Sequence, residues 1–130
     1  MLTVNTWKPL SSNGGNMTID KIIIDKVNYL VQEFIERAWK CIFSNDKIIN
    51  LDSLLASAHT YLKCAEKVIE TFPGIKYYLD VHVNDMLTKL ANLDIRETRF
   101  INVKDIDVNI LNKKLDKIRK TSKWILRKLK

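Results

Sequence analysis

The residues best suited to do chemistry lie in the last 22 positions of the chain. Residues 109–130 contain nine Lys or Arg residues and one acidic residue, a formal charge of +8, whereas the other 108 residues sum to −1. Clustered lysine and arginine side chains attract anionic groups and hold them in place. The pattern therefore predicts a partner with an anionic surface: nucleic acid, an acidic protein surface or an acidic membrane.

This segment is predicted to form an amphipathic helix that starts after Asp107. At 100° per residue its apolar side chains fall on one face, with Ser122 among them: Leu111, Leu115, Ile118, Ser122, Ile125, Leu126 and Leu129. The cations fall on the other face, with one tryptophan between them. The predicted binding residues are Lys113, Lys117, Lys120, Lys123, Trp124, Arg127 and Lys128.

Trp124 has two interpretations, which the sequence leaves open. An exposed indole among cations can stack on a base, or on a side chain of a partner, while the cations hold phosphates or carboxylates. Alternatively, the cations form a solvated face and Trp124 is covered by the N-terminal segment or by a loop.

The amphipathic pattern also bears on membranes. Basic amphipathic helices bind anionic lipid surfaces, but here the apolar face is needed to complete a bundle core. Peripheral membrane contact is therefore disfavoured. No apolar run approaches the 18 residues of a spanning helix, so we expect no transmembrane segment.

Catalytic and metal-binding patterns are weak. His82 and Asp85 share a helical face, but one His–Asp pair falls short of a zinc site, and we expect a satisfied, partly buried histidine. Cys41 and Cys64 fit neither a disulfide scaffold nor a zinc pattern and are expected to be reduced and buried. The sequence predicts no enzyme, no cofactor and no bound metal.

Apolar periodicity predicts an all-α fold, a four-helix bundle with a flexible N-terminal tail and a basic C-terminal helix. Residues 1–17, which include Trp7, form the tail, and residues 18–130 form a single domain. The helices are expected over 19–43, 51–72, 75–93 and from about 107 to the C-terminus, with Thr18 capping the first. Helices two and three, separated only by Pro73 and Gly74, are expected to be antiparallel neighbours, and residues 94–107 an ordered loop.

Fifteen apolar residues are predicted to form the core of this bundle. They are Val27, Leu30, Phe34, Ala38, Leu55, Ala58, Leu62, Ile69, Leu79, Met86, Leu90, Leu111, Leu115, Ile118 and Ile125.

Residues 34–58 resemble the helix–loop–helix passage of the histone fold. The resemblance covers about 25 residues without a specific signature. It departs from the pattern because the second helix continues well beyond the length of the short final histone helix, and because a Gly- and Ser-containing segment replaces the first helix.

In size, composition and long-helix layout the chain also resembles the small helical proteins of archaeal viruses. Ile, Lys and Asn, encoded by A/T-rich codons, make up about a third of the residues. The resemblance implies a virus-encoded protein, located in the host cytoplasm or the virion, that contacts nucleic acid, RNA polymerase or other virion subunits. No secretory signal is recognisable. The leading hypothesis is a non-enzymatic binding protein acting on nucleic acid or its machinery; the alternative is a virion subunit, which allows a homo-oligomer.

Overall fold

The protein folds as an all-α four-helix bundle. The computed structural model describes residues 14–129, with side chains from residue 20 onward, and contains no strand in that range. The helices are α1 (Gly14–Phe43), α2 (Leu51–Thr71), α3 (Val81–Ala91) and α4 (Val108–Lys128). Two short 3-10 helices, Ile95–Glu97 and Arg99–Asn102, lie between α3 and α4.

The four helices form a ring in which α1 packs on α2, α2 on α4, α4 on α3, and α3 on α1. Two contacts show that helices α2 and α4 run parallel. Asp52 of α2 pairs with Lys114 of α4 near the start of both helices, and Ile69 and Trp124 line one groove near their ends. Helices α2 and α3 are therefore diagonal to each other. The prediction that they are packed neighbours is wrong.

The link between α2 and α3, residues 72–80, is longer than predicted because side chains of α1 accept hydrogen bonds from its backbone amides. The amide N–H of Tyr78 donates to Oδ1 of the buried Asn28 at 2.7 Å, and that of Asp80 donates to Oε1 of Gln32 at 2.8 Å. The Asp80 carboxylate accepts from the amide of His82 at 2.7 Å and caps α3 there. The third helix consequently begins at residue 81, and not at 75.

One continuous core fills the bundle. Eleven of the fifteen predicted core residues are buried, whereas Phe34, Leu79 and Met86 are half-buried against that core. Leu30 was assigned wrongly: it is 44% exposed. Helix α1 carries apolar residues on more than one face, and the face that packs inward is Val27, Val31, Ile35, Ala38 and Ile42.

Helix α1 also begins earlier than expected. It starts at Gly14, so Thr18 lies inside the helix and does not cap it, and residues 14–17 belong to the helix and not to the predicted tail. Residues 1–13, with Trp7, lie outside the described part of the chain, so the prediction made for them stays a prediction.

The segment before α4 is anchored by two neighbouring residues. Phe100 is fully buried in the core. The Arg99 guanidinium donates to the carbonyl oxygens of Asp46 at 2.5 Å and Cys41 at 2.9 Å, which ties the segment to the end of α1. This ordered connection positions Asp107 at the start of the basic helix.

Candidate nucleic-acid interface

Helix α4 presents its charged face to solvent because its other face is used by the core. Asp107 caps the helix by accepting from the amides of Asn109 at 2.9 Å and Ile110 at 3.2 Å. The buried face consists of Leu111, Leu115, Ile118, Thr121, Ser122 and Ile125. The start of this helix and five residues of its predicted apolar face are confirmed, whereas Leu126 and Leu129 are only half-buried and Thr121 was not predicted to be buried.

All six cations of the predicted site are exposed: Lys113, Lys117, Lys120, Lys123, Arg127 and Lys128. Within residues 14–129, only Lys120 among them pairs with a carboxylate, Asp116 at 3.2 Å. Lys113, Lys120 and Arg127 recur every seven residues, so they follow one line along the helix at intervals of about 10.5 Å. We call these six cations the basic ridge.

Two further cations of α4 serve the fold and lie outside the ridge. Arg119 reaches back to the end of α3, where its Nε donates to the carbonyl oxygen of Leu93 at 2.8 Å and its Nη2 to Oδ1 of Asn112 at 3.0 Å. Lys114 pairs with Asp52 and joins α4 to α2. The charge count from the sequence therefore overstates the charge available to a partner.

Trp124 is not an exposed stacking platform. It is half-buried, packs against the core and lines a groove together with Ile69, Pro73, Ile75 and Tyr77. The Lys128 ammonium lies 5.6 Å from the centroid of its ring. Residues of the link after α2 line this groove beside the half-buried indole.

A second group of polar residues lies beside the ridge, in a groove of about 320 Å³ between α2 and α4. His59 and Thr60 of α2 face Lys114 and Lys117 of α4 across a floor that includes the buried Leu55. Partial burial, followed by the positive charges of Lys63 and Lys117, lowers the pKa of the His59 imidazole. His59 was not predicted as a site residue, because only the parallel packing of α2 and α4 brings it close to Lys117.

The remaining candidates for chemistry are dispersed. His82 is exposed and not partly buried, because α3 turns Val83, Leu87 and Leu90 inward. Cys41 and Cys64 are free thiols and half-buried, and burial raises the pKa of Cys41. In the part of the chain that the structure describes, no three His, Cys, Asp or Glu side chains come together as a metal site.

Over the same residues, every helix is too short or too polar to cross a bilayer. Comparison of the chain with protein-family models, with curated proteins and with solved structures finds no match.

Proposed function

We propose that the protein binds nucleic acid through the basic ridge of α4, by contacts with backbone phosphates. The observation that carries the proposal is the exposure of six cations on one helix face, five of which have no carboxylate partner among residues 14–129. The ridge from Lys113 to Arg127 is about 21 Å long. A duplex presents about one phosphate per 1.7 Å of its axis, so a ridge of this length meets several.

The position of Trp124 shapes the mode of binding. An indole that is half-buried against the core offers only part of its ring for stacking on a base. Phosphate contacts alone position a protein on nucleic acid without reading its sequence. We therefore propose binding with little sequence preference. The same face would also suit the acidic surface of a nucleic-acid enzyme such as RNA polymerase.

Burial of the apolar face of α4 argues against a lipid surface. An interfacial helix must insert its apolar face into the membrane, whereas Leu115, Ile118 and Ile125 are fully buried in the bundle. Membrane binding by α4 would require the bundle to open.

The test is the salt dependence of binding to a duplex DNA of about 20 base pairs. If five cations contact phosphates, log affinity plotted against log salt has a slope of about −4.5, and raising salt from about 50 to 200 mM weakens binding roughly 500-fold. Gln at Lys113, Lys117, Lys120, Lys123 and Arg127 should flatten this slope without unfolding the protein. A matched variant with five exposed lysines outside α4 replaced by Gln should keep it: Lys21, Lys26, Lys40, Lys47 and Lys89.

No binding of the wild-type protein at low salt would refute direct nucleic-acid recognition. A pulldown from a cell extract with and without nuclease then distinguishes the remaining partner classes. A partner retained after nuclease treatment, and lost with the five-Gln α4 variant, is an acidic protein surface bound by the ridge.

A second candidate, an assembly protein such as a virion subunit, is favoured by a different observation. The middle of α1 exposes four apolar residues, Ile22, Ile23, Tyr29 and Leu30, at 49, 43, 61 and 44%. Neighbouring apolar residues on a surface often mark a contact between proteins. Light scattering over a concentration series tests this: discrete monomers exclude it, and growth in size that is lost in an Ile23→Lys variant supports it.

The viral origin, the location in host cytoplasm or virion and a role in transcription are part of the proposal. Their support is the compositional resemblance to the helical proteins of archaeal viruses.

A further inference from the structure

The groove between α2 and α4 holds a polar cluster that joins one ridge residue, Lys117, to polar side chains of α2. Its lining includes His59, Thr60, Lys114 and Lys117, with one carboxylate, Asp52, at its edge. Lys114 engages that carboxylate. Among the described residues, nothing accepts or donates a hydrogen bond at the His59 imidazole, and Lys117 has no carboxylate partner.

We propose that this groove binds one phosphate of the nucleic-acid backbone, with His59 and Lys117 as its direct contacts and the Thr60 hydroxyl as a third. The inference rests on the proposed function and extends it, because it makes α2 a second nucleic-acid-binding element. Imidazolium, ammonium and hydroxyl groups all donate hydrogen bonds to phosphate oxygens, and charge-assisted bonds of this kind are the strong ones.

The position of the groove suits a backbone that already follows the ridge. Lys113 and Lys117 are one turn apart on α4, so a strand held at Lys113 passes the mouth of the groove. The buried Leu55 keeps part of the groove out of water, where attraction between charges is less screened than on an open surface.

Charged groups from both helices determine how His59 responds to such a phosphate. Lys63 and Lys117 disfavour the imidazolium and Glu66 favours it, while Lys114 and Asp52 neutralise each other at the edge. A bound phosphate adds a negative charge, so His59 takes up a proton on binding. The affinity for a duplex should therefore increase as pH falls, over a range in which backbone phosphodiesters do not titrate.

The experiment measures duplex DNA affinity from pH 7.5 to 5.5 at constant salt. The wild-type protein should bind roughly three- to tenfold more tightly at the lower pH, as expected for one additional charge-assisted contact. His59→Gln should abolish the pH dependence. His82→Gln, which removes the other histidine of the chain from the exposed face of α3, should retain it. Lys117→Gln should reduce the salt slope by about one, and Lys89→Gln should leave it unchanged.

A measurement on the wild-type protein avoids dependence on any variant. Proton chemical shifts of the two imidazoles give their pKa values with and without the duplex, and with inorganic phosphate. A rise in the pKa of His59 alone, with the duplex, is the expected result. A rise with inorganic phosphate but not with the duplex would overturn the proposal, because the site would then serve a free phosphate compound.

The proposed function and the groove site can be refuted separately. If the wild-type protein does not bind the duplex at low salt, the proposed function and the groove site both fail. If it binds with the expected salt slope, but the pKa of His59 does not change and His59→Gln keeps the wild-type pH dependence, only the groove site is refuted.

Discussion

Arg119 and Lys113 lie on the same helix and carry the same charge, but the structure predicts opposite consequences of losing them. Arg119 donates hydrogen bonds to the carbonyl of Leu93 and to Asn112. The Lys113 side chain is exposed, with no partner among the described residues. Replacing each by Gln removes one charge at almost constant helix propensity. The pair of variants thus separates charge that serves the fold from charge that serves a partner.

For Arg119→Gln we expect a loss of about 2 kcal/mol in the free energy of unfolding. Hydrogen bonds of a charged donor contribute roughly 1.5–3 kcal/mol, and the Arg119 side chain retains 19% exposure, which places the value below the top of that range. In a chain of 130 residues, about 2 kcal/mol lowers the melting temperature by about 7 °C. Lys113→Gln should change the melting temperature by less than about 2 °C, the usual range for surface substitutions.

The assay combines thermal melting, followed by circular dichroism at the helix band, with duplex binding over a salt series. Lys113→Gln should reduce the salt slope by about 0.9, and Arg119→Gln should leave it near the wild-type value. Melting curves that do not distinguish the two variants, or a salt slope reduced equally by both, would show that it is wrong to assign Arg119 to the fold and Lys113 to the partner.

Three further predictions concern the core, Trp124 and pH. Phe100→Ala should cost about 3–5 kcal/mol in chemical denaturation, because the ring is fully buried; a cost below about 1 kcal/mol would mean that the segment before α4 is not part of the core. Trp124→Ala should lower stability by about 2 kcal/mol, since the ring is half-buried against the core, and should leave the salt slope of binding unchanged. An affinity loss at unchanged stability would instead support stacking. The folded state lowers the pKa of His59, so the unfolded chain binds more protons at this group than the folded protein does. The contribution of His59 to stability is therefore complete above the unfolded pKa of about 6.5, and it declines as the pH falls below that value. Denaturation midpoints from pH 8 to 5.5 should show this decline, weakened in His59→Gln; equal pH dependence in both proteins would contradict it.

Sequence periodicity predicted α4 well because that helix has one apolar face and one charged face, so its phase is unambiguous. Its cap, Asp107, is a local feature and was predictable for the same reason. Periodicity misassigned Leu30 because α1 has apolar residues around much of its circumference, and only packing against α2 and α3 selects the face that turns inward.

The features that escaped prediction depend on contacts between residues far apart in the chain. The start of α3 follows from hydrogen bonds of the link to Asn28 and Gln32, about 50 residues away. The structural role of Arg119 depends on the carbonyl of Leu93, which no spacing rule indicates. His59 joins the candidate site only because α2 and α4 pack in parallel. In each case the sequence shows the residue type, but the residue that it contacts depends on how the helices pack.

The diagonal position of α2 and α3 has a consequence for how the chain folds. The bundle consists of two helical hairpins, α1–α2 and α3–α4, whose internal contacts join residues near one another in sequence and so close at low entropic cost. The hydrogen bond from the Tyr78 amide to Asn28 ties the link between the hairpins to α1, so this bond forms only when the second hairpin is brought up to the first. Asn28→Ala should therefore accelerate unfolding more than it slows folding in stopped-flow experiments. A slower folding rate that accounted for the whole loss of stability would mean that the two hairpins dock before either is complete.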